Sequence, residues 1–294
     1  MSKNRELIPI PIVKTSLFAP SLKNWRNLVI FVHGFRGEAL STWLAFPDLA
    51  DDFESLRNAD LLFYGYASKP QRVQNMAINL RSDIDAIWGD PTTLGPEIGE
   101  FLFEREKQVD NKKHPLWDRI LFVAHSLGCV ILRRALYDCH LDKANLVSEK
   151  HHWSTIAELC LFAPAHSGAN VLRLIGETSS AISLPLAPAL KVLYPCLLDL
   201  EEGSTALIGL REDYHALSVL ENKPTMASAV ILAENDRVVD PSRFPGDPVP
   251  VQINGQGHIS VCKPKKDFLE PIFKVSEILI KNKVVKNWPD SKVG

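Results

Sequence analysis

The sequence has 294 residues, of which 46% are hydrophobic and 23% charged, a composition typical of an ordinary globular protein. Its formal net charge of −2 gives no electrostatic basis for binding nucleic acid. The chain contains no run of about 18 uninterrupted apolar residues, so no transmembrane helix is expected. Its first residues also lack the apolar core and the cleavage site of a signal peptide.

The cysteines predict neither a zinc site nor a disulfide framework. There are five of them, an odd number, and no two are spaced as C-x-x-C. Cys129 and Cys160 occur among apolar residues, where a small buried side chain is the simplest interpretation. The sequence therefore predicts a reducing, cytoplasmic setting, no metal site and no cofactor.

Strands alternate with helices through the first half of the chain. The start is proline-rich between Ile8 and Ile12, which suits an edge strand rather than a central one. A buried strand follows over residues 27–34. The next predicted elements are a short helix at 47–57, a strand over Leu61–Tyr66, a helix over Val73–Trp88 and a helix at about 97–109.

The first long strand ends in His33-Gly34-Phe35. A glycine at this point lets the backbone turn so that the amide of Phe35 points into a cleft. In an acyl-transfer enzyme this amide and that of Leu127 would hold the oxyanion of the tetrahedral intermediate. His33 and Gly34 border the expected substrate site, and His33 is expected to hold the loop by hydrogen bonds.

The chain is organised around residues 119–136. An apolar run from Ile120 to Ala124 predicts a strand buried on both faces, and a run of helical period follows Ser126 at once. So short a turn strains the backbone of the residue inside it and requires small neighbours, which Ala124 and Gly128 provide. The pattern is that of a nucleophile elbow, G-x-S-x-G, with alanine as its first small residue. The alternative is a serine that only caps a helix.

Beyond a further strand over Glu158–Pro164, residues 169–225 interrupt the alternation. We interpret them as short helices inserted over the cleft, a cap or lid on a single domain that spans residues 1–294. The alternative is an ordinary pair of packed helices. Within the insertion, the apolar run Ser183–Leu198 favours an acyl chain over a charged substrate.

The alternation resumes after the insertion. Strands are predicted over Met226–Glu234 and Val249–Ile253, and a closing helix is predicted at about 267–282. Strands that alternate with helices indicate an α/β fold, with a mostly parallel sheet and helices on both faces.

An acid and a histidine follow the last two strands. Asp236 is the expected acid, with Asp240 and Glu234 as alternatives, because carboxylates at the carboxyl ends of such strands face the cleft. His258 follows a glycine-rich loop that can bring its imidazole over Ser126. The order serine, acid, histidine is that of the α/β-hydrolases. In this arrangement the histidine takes the serine proton and the acid orients the imidazole.

Several motifs resemble those of one family, the lipase-like serine esterases of the α/β-hydrolase superfamily, a group related to SERAC-type proteins and to GPI inositol-deacylases. The resemblance spans about 32–264 and implies an α/β-hydrolase fold with Ser126 as nucleophile, His258 as base and an aspartate after the penultimate strand as acid. The matching stretches are Val32–Phe35 with Thr42-Trp43, Tyr64–Tyr66, His125–Gly128 with Val130-Ile131, Phe162–Gly168 and His258–Pro264.

The chain departs from the family pattern at three points. Ala124 replaces the first glycine of the elbow, which sterics permit. Cys129 stands where the family often has a second glycine. The third departure is the segment from Ala163 to Gly168, in which His166 is expected either to contact substrate or to hold the loop.

The sequence therefore predicts a serine hydrolase that cleaves carboxylic esters through an acyl-enzyme, with a small-molecule ester or lipid as substrate. One alternative is a non-catalytic hydrolase fold that binds a partner through its cap. Another is a phospholipase or deacylase at a membrane surface, with residues 181–200 as an interfacial lid. The oligomeric state is left open by the sequence.

Overall fold

The structure is a computed structural model that describes residues 5–11, 13, 15–21, 26–107, 116–145, 152–178, 187–219 and 225–286. Within these ranges eight strands form one sheet: β1 (Ile8–Pro9), β2 (Leu17–Ala19), β3 (Asn27–Val32), β4 (Asp60–Tyr64), β5 (Arg119–His125), β6 (Ala157–Phe162), β7 (Ala227–Ala233) and β8 (Val251–Ile253). The described α-helices are α1 (Phe46–Leu49), α2 (Glu54–Arg57), α3 (Val73–Gly89), α4 (Pro96–Lys107), α5 (Leu127–Asn145), α6 (Val171–Thr178), α7 (Ala187–Leu193), α8 (Cys196–Asp199), α9 (Thr205–Val219) and α10 (Glu270–Lys286).

The sheet is mostly parallel, which confirms the predicted α/β fold class. Its strand order is β1-β2-β4-β3-β5-β6-β7-β8, and neighbouring strands from β4 to β8 run parallel. The two pairs that involve β2 are antiparallel, and the proline-rich β1 lies at the edge. An edge strand tolerates proline because one side of it has no neighbour that needs its N–H groups.

The central strands are covered on both faces. Successive side chains of a strand point to opposite faces, yet every residue of β5 from Ile120 to Ala124 is 0% exposed. Among the helices, α3 packs against α5, and α10 packs against β6 and β7. No helix in the described ranges is long and apolar enough to cross a membrane.

The segment between β6 and β7 holds α6, α7, α8 and α9. Helix α9 packs on α5, where the Tyr214 hydroxyl donates a hydrogen bond of 3.1 Å to an α5 carbonyl. Helix α8 is joined to the residue before α3 by an ion pair of 2.7 Å between Asp199 and Arg72. Two parts of the predicted cap, residues 179–186 and 220–224, lie outside the described residues, and the division into domain and cap stays a prediction.

A fully buried ion pair joins α5 to the loop between β7 and β8. Arg133 and Asp247 are both 0% exposed, and their side chains are in contact. The guanidinium also lies over the ring of Phe244, 4.1 Å from its centre. Asp247 in addition accepts a hydrogen bond of 3.2 Å from the amide of Ala227 at the start of β7. The pair therefore fixes this loop against both α5 and β7.

Parallel strands bring four loops to one edge of the sheet, because their carboxyl ends all point the same way. His33 follows β3, Ser126 follows β5 and Asp236 lies in the turn after β7. His258 follows β8 after a short loop. The residues that the sequence analysis selected thus gather at this edge.

Candidate active site

Ser126 is the single residue between β5 and α5. Its φ of 52° lies in the left-handed region, which a side chain other than glycine rarely adopts. Its amide donates a hydrogen bond of 3.0 Å to the carbonyl of Phe162 at the end of β6, which helps to hold this backbone. Gly128 lies against β3, where a Cβ on it would come within 2.4 Å of the His33 carbonyl oxygen and 2.5 Å of that of Val32. The predicted elbow, with its need for small neighbours, is therefore present in the structure.

Replacing Gly128 with alanine is expected to lower the free energy of unfolding by about 3 kcal/mol, the upper end of the range for overpacking, since the colliding atoms are backbone atoms. Urea denaturation of the variant measures this change. The matched control is Gly89→Ala at the end of α3, where a Cβ meets nothing within 4 Å and no loss is expected. Equal stabilities of the Gly128→Ala variant and the wild type would contradict the steric argument.

Ser126, His258 and Asp236 form a continuous hydrogen-bonded series. His258 Nε2 lies 2.9 Å from Ser126 Oγ, and His258 Nδ1 lies 2.9 Å from Asp236 Oδ2. A carboxylate only accepts hydrogen bonds, so Nδ1 carries the proton and Nε2 accepts from the serine hydroxyl. Ser126 and His258 are each 1% exposed. The imidazole is thus held in the tautomer that a general base for Ser126 requires.

Asp236 is held as a carboxylate by its surroundings. Its Oδ1 accepts backbone hydrogen bonds from Val238 (2.8 Å) and Val239 (3.1 Å), while Oδ2 faces His258. Burial of the side chain opposes ionisation, but the hydrogen bond and charge of His258 and the two amides outweigh it and lower the pKa of Asp236 below its ordinary value. The acid therefore remains charged opposite the imidazole.

The two alternative acids are occupied elsewhere. Asp240 accepts a hydrogen bond of 2.7 Å from the amide of Ser242, two residues further along the chain. Glu234 is exposed and accepts one of 2.8 Å from the amide of Gly255. Within the described part of the chain the carboxylate bonded to His258 is that of Asp236, so Asp236 is the acid that the structure brings to the histidine.

The loop after β3 lies directly against the elbow. A Cβ on Gly34 would come within 3.1 Å of Ser126 Cβ and 2.8 Å of His125 Nδ1, so only glycine allows this approach. Phe35, the next residue, lines the cleft beside Ser126. Leu127 opens α5, where backbone N–H groups at a helix start have no partner within the helix. Phe35 thus borders the same cleft as the serine, and Leu127 follows the serine directly in the chain.

His33 holds this loop by hydrogen bonds, in line with the sequence analysis. Its Nδ1–H donates to the carbonyl of Gly34 (2.8 Å), and its Nε2 accepts from the amide of Tyr66 (3.2 Å). The Tyr66 ring stacks on the imidazole with centres 4.0 Å apart. Burial lowers the pKa of His33 to about 4, which keeps the ring neutral in this arrangement. The substrate contact predicted for His33 has no support in this geometry.

His166 does not line the cleft. Its side chain is buried against Phe244, with ring centres 4.9 Å apart, near the Arg133–Asp247 pair. Burial and the charge of Arg133 lower the pKa of His166 well below its ordinary value. Of the two roles expected from the sequence, this packing fits the one in which His166 holds its loop, and the contact with substrate stays a prediction.

His125 is a site residue that the sequence analysis did not single out. Its Nε2–H donates to the backbone carbonyl of His258 (2.8 Å), and the two rings lie 5.0 Å apart. Burial, together with the charge of His258, lowers the pKa of His125 to about 3. The contact fixes the loop of His258 against the end of β5, next to Ser126. Its place directly before Ser126 is the one sequence signal that could have indicated it.

The buried histidines give the fold a defined response to acid. His33 and His125 have pKa values of about 4 and about 3 in the folded chain, below the roughly 6.5 expected when unfolded. Between these values the unfolded chain binds protons that the folded chain does not, so stability is fully present above about pH 6.5 and falls as the pH decreases.

We therefore expect urea denaturation to show a falling free energy of unfolding between about pH 6.5 and about pH 4, with up to about 1.4 kcal/mol per pH unit from each of these histidines. The variant His125→Gln cannot take up this proton and should have a shallower slope than the wild type. Identical slopes in the two proteins would contradict the assignment of His125 as a buried neutral group.

A cleft with a volume of about 250 Å³ opens above Ser126. Its lining includes His258, the loop at 34–37, the end of α6 and Lys263. Charged and hydroxyl groups make up part of this described lining, which includes Arg36, Ser41, Thr42, Glu177 and Lys263. Within the described ranges, no group of three or more His, Cys, Asp or Glu side chains could hold a metal ion.

The sheet, the elbow and the order of the three site residues are those of the α/β-hydrolase fold. Residues 23–159 match the family described as "Putative serine esterase (DUF676)". The resemblance to lipase-like serine esterases found in the motifs is thereby confirmed over this part of the chain.

A curated relative and two solved structures illustrate the likeness. The chain is 23% identical over 256 residues to Protein SERAC1 of Bos taurus, an alignment that covers 81% of this chain and 36% of that protein. The chain therefore spans about a third of the length of this relative.

Both solved structures share the fold at low sequence identity. The lipase BlEst2 of Bacillus licheniformis in its mature form is 14% identical with a TM-score of 0.54, covering 90% of this chain and 97% of the lipase. Esterase B of Lactobacillus rhamnosis is 12% identical with a TM-score of 0.55, covering 97% of this chain and 89% of the esterase. At these identities the comparisons show a shared fold.

Proposed function

We propose that this protein is a serine hydrolase that cleaves carboxylic esters through an acyl-enzyme. The observation that carries the proposal is the series Ser126, His258 and Asp236, joined by two contacts of 2.9 Å each. A serine hydroxyl is a poor nucleophile at neutral pH unless an adjacent base removes its proton. The three residues have the types, order and spacing that this activation needs.

In the first half of the reaction, Ser126 Oγ attacks the ester carbonyl carbon while its proton passes to His258 Nε2. The C–O bond to the alcohol then breaks, and the same proton leaves with the alcohol oxygen. Asp236 stays ionised and stabilises the imidazolium, consistent with its lowered pKa. In the second half a water molecule repeats the attack, gives its proton to His258, and releases the acid and free Ser126.

The negative charge that develops on the carbonyl oxygen needs donors at the same place. The amides of Phe35 and Leu127 are the proposed pair, because Phe35 borders the same cleft as Ser126 and Leu127 follows Ser126 directly at the start of α5. The approach of Gly34 to Ser126 supports this role, since it leaves no side chain between the loop and the serine.

The proposed substrates are small-molecule esters or ester lipids, and the setting is cytoplasmic. All five cysteines are buried and none of them forms a disulfide, which supports a reducing compartment. The crystal structure of the Lactobacillus esterase is that of the enzyme with a tributyrin phosphonate inhibitor, which supports a short-chain acyl ester as the first substrate to test.

A membrane surface is a second candidate place of action. Among the described residues between β6 and β7, five large apolar side chains are exposed: Leu172 at 48%, Val192 at 78%, Leu193 at 43%, Leu198 at 36% and Ile208 at 49%. Such side chains support insertion into a lipid surface. Binding to phosphatidylcholine vesicles that is lost in Val192→Asp would support this candidate, and no binding by the wild type would contradict it.

The test of the proposed function is covalent labelling with a fluorophosphonate probe. We expect one adduct, located at Ser126 by peptide mass, and its loss in Ser126→Ala and in His258→Ala. A correctly folded wild type that reacts at no residue, or at a residue other than Ser126, would overturn the proposal and favour a partner-binding hydrolase fold without catalysis.

A further inference from the structure

Lys263 lines the cleft on the same loop as the base. It stands five residues after His258, and both residues contribute to the wall around Ser126. Its amide donates a hydrogen bond of 3.0 Å to the carbonyl of Ser260. Its neighbour Cys262 is 0% exposed. The backbone of Lys263 is therefore anchored at the wall of the cleft.

The ammonium of Lys263 has no counter-ion in the described part of the chain, because none of the ion pairs found there includes it. Its charge acts on the catalytic end of the cleft, where it contributes to the low pKa of His125 after burial and the charge of His258.

The described wall of the cleft carries more positive than negative charge. Its charged residues are Arg36, Glu177 and Lys263, two cations and one carboxylate. Arg36 lies over the ring of Tyr194, 5.9 Å from its centre, while Glu177 is exposed on α6. A cleft with low-dielectric walls concentrates the field of such charges and attracts ligands of opposite sign.

We propose that Lys263 is a specificity-determining residue that binds an anionic group, a carboxylate or a phosphate, on the ester substrate. This proposal rests on the proposed function, since it assigns a substrate class to the same site. A lysine binds such groups as a flexible point charge, without the fixed geometry of an arginine. The esters preferred by this cleft are therefore anionic ones, rather than the neutral esters favoured by the apolar run Ser183–Leu198.

The test uses pairs of esters that differ in charge on one side of the scissile bond. On the acyl side the pair is p-nitrophenyl butyrate and p-nitrophenyl hemisuccinate. On the alcohol side it is p-tolyl butyrate and p-butyryloxybenzoate. For each pair, the ratio of kcat/KM for the anionic ester to that for the neutral ester is measured in wild type and variants, so that intrinsic reactivity cancels between proteins.

In Lys263→Met we expect this ratio to fall about tenfold for at least one pair, with kcat/KM for the neutral ester nearly unchanged. Lys263→Arg keeps the charge and should retain most of the ratio, while Lys263→Glu should lower it further. The matched control is Lys265→Met, an exposed lysine of the same loop, which should keep the wild-type ratio.

Ratios that do not change in Lys263→Met, or that change equally in Lys265→Met, would overturn the proposal. Hydrolysis of the neutral esters by the wild type separates this result from a failure of the proposed function, in which neither ester of a pair is cleaved. The fluorophosphonate adduct at Ser126 reports on that function independently of substrate charge, and thermal denaturation of Lys263→Met verifies that the variant is folded.

Discussion

Replacing Ser126 or His258 with alanine is expected to lower kcat/KM for any cleaved ester by a factor on the order of 10⁴–10⁶, the largest effect expected of any change in this chain. Each residue acts only with the other, because Nε2 of the histidine lies 2.9 Å from the serine oxygen that it must deprotonate. The double variant should therefore be little worse than either single one. Steady-state kinetics on a p-nitrophenyl ester measure all three losses.

The role of the acid can be tested beside that of the serine and histidine. Asp236→Asn removes the charge and presents a donor or a weak acceptor to His258 Nδ1, so we expect a loss on the order of 10⁴. Asp240→Asn is the matched control, because that carboxylate bonds its own turn and should leave the rate unchanged. If the loss of kcat/KM in the double variant equals the product of the losses in Ser126→Ala and His258→Ala, the two residues do not act as one catalytic unit.

Breaking the buried ion pair is expected to cost more stability than other single changes of side chain. Asp247→Asn should lower the free energy of unfolding by about 3–5 kcal/mol, because it leaves the Arg133 guanidinium charged in a place that is 0% exposed. The asparagine still offers an oxygen to the amide of Ala227, so the loss reports on the charge rather than on that hydrogen bond. Urea denaturation measures the change.

A double variant separates the charge from the packing around it. Arg133→Met with Asp247→Asn removes both charges, and we expect it to be more stable than Asp247→Asn alone, since no unpaired charge remains. Ion pair Arg134–Asp213 provides the matched control, because its side chains are 22% and 31% exposed and Asp213→Asn should cost less than about 1 kcal/mol. A loss of unfolding free energy in the double variant equal to the sum of the losses in Arg133→Met and Asp247→Asn would contradict the argument.

Local patterns explain why much of the fold could be predicted from the sequence. The strand before Ser126 is an uninterrupted apolar run, and the helix after it repeats its apolar residues with helical period, so β5 and α5 have strong local signals. The elbow adds a steric requirement that Ala124 and Gly128 visibly meet. Asp236 could be selected because it lies in the turn after a strand with a strong apolar pattern. The carboxyl end of that strand lies at the same edge of the sheet as Ser126, which brings the two residues near each other.

The features that were missed depend on pairs of residues far apart in sequence. The contact of His125 with the carbonyl of His258 joins positions 133 residues apart, and that of Arg133 with Asp247 joins positions 114 apart. Neither residue of such a pair carries a local pattern that names its partner. The packing of His166 could not be predicted for the same reason, because its ring lies against Phe244, a residue of another loop.

The order of the strands across the sheet has a consequence for synthesis. From β3 onward, β5 joins β3, β6 joins β5, β7 joins β6 and β8 joins β7, so the sheet widens in the order in which the ribosome delivers these strands. Each newly added strand is an open edge until its successor arrives, and edges of this kind recruit other chains. The last one, β8, is only three residues long, which limits that exposure in the finished protein. A nascent chain halted after β6 would present an apolar strand edge from Cys160 to Phe162. Such a chain would contain Ser126 but not yet His258.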